Sequence, residues 1–484
     1  MHWIDAGIFI FYMLSLLAVG FYFLKKNKNA EDYFVSGRNM TRWHIGLSVV
    51  ATDVGGGFSI GLGGLGFMLG LSGSWMLFTG LIGAWVSAVI LIPKVHPLGK
   101  EAKLFTFPQI FGHFFNKRVA LAAGIISAIG YIGFTSSQML AGAKLASASF
   151  QSLDMSTALI VMGAITVGYT VLGGMNAVIY TDTIQWIVLI GGLCLVGIPL
   201  SYHAIGGIDA IRATVSKDFL SLENVAWQTL VNWAVTIIPI WFVGMTLYQR
   251  IYASRDVKEA KKAWFIAGLF EWPVMAFMGV ALGLFARVAA EQGMFEQMGF
   301  VNATMMDPEM GLPLLLRTIL PIGLMGVMMS VYFSAILSTA DSCLMAASGN
   351  MLTDIVARFF HIDHDNKRML KLSQLFTLIL GILAILLASV MGNVLELMLY
   401  SYAFMVSGLF VPLVAAIFFK KRNAHAALLA MIGGGATTVI LSLFVKNLPF
   451  GLDANLFGIL TSLILFIAGS YTMPAQYLTK KMNT

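Results

Sequence analysis

Of 484 residues, 58% are hydrophobic and 11% are charged, and the mean hydropathy is +0.84. A soluble chain carries about 25% charged residues, so a soluble enzyme or nucleic-acid binder is excluded. A polytopic membrane protein with the lipid bilayer as its solvent is expected. The net charge of +7 fits short basic loops between spans. Cys194 and Cys343 both fall in apolar segments, so no structural disulfide is expected.

Apolar runs predict thirteen spans, numbered from zero: residues 5–24, 43–71, 74–95, 119–148, 156–174, 178–203, 226–249, 263–288, 313–353, 370–391, 394–419, 424–446 and 454–475. The first is too long for a signal-peptide core and lacks a small-residue cleavage site, so it reads as a retained helix. The run 313–353 exceeds one crossing and predicts a tilted or extended helix. With the N-terminus outside and the C-terminus cytoplasmic, twenty-four of the thirty basic residues fall on the inner side. That set includes Arg250, read as a loop residue. Plasma or inner membrane is the expected location.

Span 1 carries Asp53 in an otherwise apolar run, followed by Gly55-Gly56-Gly57. A carboxylate at membrane depth is costly unless it meets a cavity, an ion or a counter-charge. A helix broken there leaves backbone groups unpaired, tolerated where they line a site. Asp53 then serves a sodium ion, pairs with a substrate ammonium, or only caps the break. Span 6 has a matching interruption, with Pro239 and Gly244 around Trp241. Two broken helices five spans apart point to an inverted repeat with a site between them. The aromatics Phe134, Tyr131, Trp75 and Trp241 line a pocket or simply pack. Glycines 61, 63, 64 and 66 read as close helix packing.

Span 8 contains Ser334-Ala335-Ile336-Leu337-Ser338-Thr339-Ala340-Asp341-Ser342. Ser338, Thr339, Asp341 and Ser342 form a cluster of hard oxygens suited to sodium. A single Ser or Thr in such a helix more often bonds its own i−4 carbonyl. Asp182, near the start of span 5, is a functional acid or a helix-terminus acid. Glu271, before Trp272-Pro273, is a functional acid or pairs with a polar neighbour. All eight histidines lie in loops or at span ends, so a His-ligated metal or haem is not expected. No intramembrane nucleophile–base pair is evident, and the chain is not expected to be an enzyme.

These residues resemble the sodium:solute symporter family over nearly the whole chain. Gly173-Gly174, Ala177-Val178, Thr181-Asp182 and Gln185 match its signature, and Ala335–Ser342 is similar to its sodium-binding helix. Ala51-Thr52-Asp53-Val54 resembles the bacterial proline symporters, and Val54–Gly57 and Ala340-Asp341-Ser342 the choline transporters as well. The resemblance implies an all-α, LeuT-type fold of five-plus-five inverted repeats. One extra N-terminal helix (5–24) precedes the repeats (43–203 and 226–419), and two helices (424–475) follow, all in one transporter domain, 1–484. It implies a sodium site from the carbonyls of Ala51, Val54 and Ala335 and the hydroxyls of Ser338 and Thr339. A second ion would use Asp182, Asp341 and Ser342, where Asp341 replaces a Ser of some relatives. The substrate group would be Asp53, Gly55, Gly56, Phe134 and Trp241.

The expected function is sodium-coupled uptake of a small organic solute by alternating access. Asp53 favours an amine-bearing or zwitterionic solute such as proline, betaine or a choline-like compound. The alternatives are a proton-coupled carrier, or a sodium symporter for a monocarboxylate, sugar or other metabolite. The partners are the solute, sodium and lipid, with no nucleic acid.

Overall fold

The computed structural model describes residues 2–26, 40–150, 153–356, 367–419 and 422–472. The basic stretches 27–39 and 357–366 and the tail 473–484, which carry part of the predicted charge asymmetry, lie outside the described residues. Helices fill the chain in the order α1 (Trp3–Lys26), α2 (Arg42–Val54), α3 (Gly56–Leu69), α4 (Trp75–Ile90), α5 (Ile92–Glu101), α6 (Pro108–Phe114), α7 (Lys117–Ser149) and α8 (Met155–Gly192). There follow α9 (Ile198–Ala204), α10 (Gly207–Thr214), α11 (Trp227–Val243), α12 (Met245–Ala253), α13 (Val257–Leu269), α14 (Ala276–Glu291) and α15 (Pro308–Ile319). The last are α16 (Leu324–Gly349), α17 (Lys367–Ala388), α18 (Val394–Phe418), α19 (Ala424–Phe444) and α20 (Ala454–Thr472). No strand occurs among the described residues; Met40 and Ser254 form one isolated bridge.

Helix starts follow side-chain capping. Asn116, Asp154, Asp256, Asp307, Asn393 and Asn423 each accept hydrogen bonds from backbone N–H groups of the first turn that follows. Hydrogen bonding from Thr157 holds the Asp154 carboxyl below its usual range, and the Glu259 N–H does the same for Asp256. Lipid-facing helices show their role by exposure. On α17, Leu375, Leu378, Ile379, Ile382 and Leu386 are exposed at the i, i+3, i+4 spacing of one face. By contrast, α16 is buried along nearly its whole length.

α16 packs mainly on α7 and α8, with α1, α2 and α17 beside it. α2 also packs on α8 and α13, α3 on α14 and α15, and α4 on α11 and α13. α18 packs on α7, α11, α19 and α20. The helix α1 lies against α8 and α16. Asp5 of α1 accepts from the N–H groups of Gly323 and Gly326 at 2.7 and 2.8 Å, so it caps α16 from another helix. Lys144 of α7 donates to Asp307 and Glu309, both at 2.6 Å. Glu309 also accepts from Val394 and Leu395 N–H at 2.9 Å. One buried lysine thus ties α7 to α15 and, through Glu309, to the start of α18.

Several expected spans are divided differently. Residues 313–353 are not one tilted helix. α15 ends at Ile319, α16 starts at Leu324, and helical structure continues through a π segment, Asn350–Val356. Residues 156–174 and 178–203 have no loop between them, because α8 runs for 38 residues, about 57 Å at 1.5 Å per residue. Among the described residues ten helices are long and apolar enough to cross a membrane, or eleven with the bent pair α11–α12. Thirteen spans are not confirmed, because a broken helix yields pieces each shorter than a crossing. The glycines at 61, 63, 64 and 66 do sit at close contacts: a Cβ on Gly66 would strike the Val280 backbone, and one on Gly63 would press on Leu312.

Candidate ion and solute site

The first break lies at Gly55, whose backbone leaves the helical region at φ −7° and ψ −161°. The last four carbonyls of a helix have no partner within it, so Ala51 to Val54 offer free carbonyl oxygens. α16 passes alongside. Thr339 Oγ1 donates to Ala51 O at 2.9 Å, and Ser338 Oγ to Ala335 O at 2.9 Å. The crossed pairs, Ser338 to Ala51 O and Thr339 to Ala335 O, are both 3.4 Å. Two carbonyls and two hydroxyls therefore meet in one buried group containing oxygen donors only, which fits a hard monovalent cation. Val54 closes α2 one turn on; its side chain, like that of Asp53, lies outside the described part of the structure. A cavity of about 10 Å³ adjoins the group, lined by Ala51, Gly55, Gln185, Trp186, Leu189, Ala335 and Ser338. That is room for about one water-sized sphere, so it suits an ion and not an organic solute.

Beyond the break, the N–H groups of Gly56 and Gly57 point to Gln138 Oε1 of α7 at 2.7 and 3.3 Å. These are the first free donors of α3, where a helix terminus favours negative charge. Glycine is needed for this approach. A Cβ at Gly55 would collide with Thr339, one at Gly56 would come within 2.6 Å of Ala141 Cβ, and one at Gly57 within 2.6 Å of Met398 Sδ.

The residues named for a second ion also converge, but on a side chain. Arg250 of α12 is fully buried. It donates to Ser48 Oγ at 3.0 Å, Ser342 Oγ at 2.9 Å, Thr246 O at 3.2 Å and Asp182 Oδ2 at 3.3 Å, and it also bonds Thr52. Ser48 Oγ donates to Asp182 Oδ2 at 2.6 Å. Asp182 is therefore a mid-helix acid of α8, not a helix-terminus acid. Asp341 is buried next to this pair, and the Arg250 cation is under the field of both carboxylates. Reading Arg250 as a loop cation is corrected here: the break at Gly244 turns α12 so that it points into the protein.

The aromatic pair is engaged by different helices. The Phe134 ring meets Tyr402 of α18 edge-on at 4.8 Å. Trp241 packs on Gly83 of α4 and on Trp264 of α13, with ring centroids 6.4 Å apart. Glu271 is buried within a π segment between α13 and α14 and faces Gly80 of α4. A separate cavity of about 890 Å³ lies where α11 and α18 meet the α19–α20 connection, with Asn232, Trp233, Glu396, Tyr400, Asp453 and Asn455 among its walls. Burial lifts the Asp453 carboxyl above its ordinary range there.

The profile of the sodium:solute symporter family matches residues 33–434. The chain belongs to the sodium:solute symporter family. A high-affinity proline transporter of Bacillus subtilis is 29% identical over 97% of this chain and 98% of its own length. A sodium/glucose cotransporter of Vibrio parahaemolyticus is 25% identical over 95% and 89%. The fold matches the outward-open structure of a Na+-coupled sialic acid symporter with a TM-score of 0.80, covering 98% of this chain and 99% of that one at 22% identity. This symporter thus has the LeuT-type fold, couples a small solute to sodium, and resides in a membrane.

Three buried polar residues around these groups escaped the sequence reading: Arg250, Gln138 and Tyr12, the last accepting from Gln185 Nε2 at 3.1 Å. Gln138 was visible as a lone amide in an apolar span, a signal of the same kind as Asp53. Arg250 was hidden by its nearness to the basic loop that follows it. Tyr12 lies on a helix outside the expected repeats and carried no pattern at all.

Proposed function

We propose that this symporter imports a small zwitterionic solute of proline or betaine size with one sodium ion per cycle. The supporting observation is the pair of N–H groups at Gly56 and Gly57 directed at Gln138 Oε1. The amide oxygen takes the place that a solute carboxylate would fill at a broken-helix terminus. Asp53, within four residues of these glycines, is the partner for the solute ammonium. Sodium is held by the carbonyls of Ala51, Val54 and Ala335 with Ser338 and Thr339. Proline transport by the Bacillus relative favours this class over the sugar class of the Vibrio relative. The orientation is N-terminus outside and C-terminus cytoplasmic, and the repeats are 43–203 and 226–419.

A stoichiometry of one is favoured because the Arg250 guanidinium already engages Asp182 Oδ2 and Ser342 Oγ, two of the groups a second ion would use. The alternative of a monocarboxylate solute uses the same two N–H groups without Asp53.

Thermal stability of the purified chain is expected to rise with proline or glycine betaine only when sodium is present, with sodium titrations of Hill coefficient near one. Ligand at a hundred times its Kd adds about 2.7 kcal/mol. Stabilisation by glucose or choline instead of carboxylate-bearing solutes would sink the reading, and lactate acting as well as proline would select the alternative. Gln138→Ala is expected to strengthen solute binding severalfold, because the amide oxygen no longer competes with the solute carboxylate for the Gly56 and Gly57 N–H groups, with sodium affinity unchanged. Equal solute affinity in that variant removes the carboxylate site.

A further inference from the structure

We infer that Gln185 supplies an additional oxygen to the sodium pocket and that Tyr12 of the N-terminal helix aims it. The inference rests on the sodium site proposed above and adds a third helix to it.

Gln185 is 8% exposed and lines the ion-sized cavity together with Ala51, Gly55, Ala335 and Ser338. Its Nε2 donates to Tyr12 Oη at 3.1 Å, and Tyr12 Oη in turn touches Ser334 Oγ of α16. The donor side of the amide is therefore committed. Its Oε1 is buried with no hydrogen-bond partner. A buried carbonyl lacking a donor is costly to keep, and a cation in the adjoining cavity satisfies it without any donor. With Tyr12 Oη accepting from Nε2 and donating to Ser334 Oγ, the amide is held this way round; turned the other way it would present an N–H to the cation.

Position along α8 supports the same role. Asp182 and Gln185 are three residues apart and share a face. Asp182 engages Ser48 and Arg250 through Oδ2, and Gln185 is the member of this pair that lines the ion-sized cavity. Three carbonyls and two hydroxyls give the ion five oxygens, and Gln185 makes six. A sixth oxygen favours sodium over lithium, the smaller ion that is content with fewer ligands.

The full chain in detergent is titrated with sodium chloride against potassium chloride at constant ionic strength, and the melting temperature is read without solute. Gln185→Leu is expected to raise the sodium half-saturation concentration roughly tenfold, the value of one hydrogen-bond-strength contact to a charge. Its lithium response should fall much less. Gln185→Glu keeps an oxygen and should bind sodium at least as well as the parent. Tyr12→Phe retains Gln185 but frees it, and should weaken sodium severalfold. Sodium and lithium responses unchanged in Gln185→Leu overturn the inference. So does an unchanged sodium response in Tyr12→Phe, which decides the matter should Gln185→Leu fail to fold. Ser338→Ala separates the two readings. Lost sodium response there beside an unchanged one in Gln185→Leu removes only Gln185. Unchanged response in Ser338→Ala removes the pocket and this inference with it.

Discussion

Arg250→Leu is expected to be the most damaging single substitution outside the backbone breaks. It leaves Asp182 and Asp341 buried without a counter-charge and strips donors from Ser342, Thr52 and the Thr246 carbonyl. Removing one partner of a buried ion pair costs about 3–5 kcal/mol, a large share of the stability of an ordinary domain. The melting temperature should drop sharply. Arg250→Leu combined with Asp182→Asn should regain a large part of the loss, because the second change removes the stranded charge. Coupling between residues in direct contact is what such a double-mutant cycle measures. A double variant no more stable than Arg250→Leu alone would show that the guanidinium is held for reasons other than charge. In the Arg250→Leu chain, sodium should also stabilise more strongly than in the parent, since the space beside Asp182 is then open to a second ion.

Ser338→Ala and Thr339→Ala come next in size. Each removes a hydroxyl that reaches both the Ala51 and the Ala335 carbonyl. Loss of a hydrogen bond to a charged group is worth about 1.5–3 kcal/mol. The sodium concentration for half-maximal uptake should therefore rise roughly ten- to a hundredfold in each variant. Uptake at saturating sodium should change much less. The doubly substituted chain should lose sodium-dependent uptake at attainable salt. Sodium dependence equal to that of the parent in both single variants would place the coupling ion elsewhere.

The two halves of the oxygen group proposed for sodium were legible because each is local in sequence, and the family resemblance paired them. A glycine run that breaks one helix and a Ser-Thr pair on another announce themselves within a few residues, and the structure brings Ala51, Ala335, Ser338 and Thr339 together. The broken helices were legible for the same reason: Gly55 and Gly244 end their helices wherever the surrounding chain goes. Arg250 was not legible, since its partners Ser48, Asp182 and Ser342 come from three distant segments and only packing reveals them. The aromatic residues show the opposite failure. Phe134 and Trp241 look alike in sequence, yet Tyr402 holds one and Trp264 with Gly83 holds the other. The division of 313–353 into α15 and α16 was masked by hydropathy, because both pieces are apolar and the break occupies only the four residues Leu320–Gly323. Asp53, the most conspicuous residue in the sequence, has its side chain outside the described part of the structure, so its pairing rests on sequence and chemistry alone.

The N-terminal helix α1 stands outside the paired broken helices, yet Asp5 caps α16 and Tyr12 reaches Gln185 and Ser334. With Gln185 holding sodium as inferred above, α1 becomes a lever on ion affinity. Sequence drift in α1 would retune the sodium threshold at which a cell begins to accumulate the solute, while leaving solute recognition alone. A lipid-soluble compound that wedged α1 away from α16 would act as a non-competitive inhibitor, and screens built on displacement of the solute would pass over it.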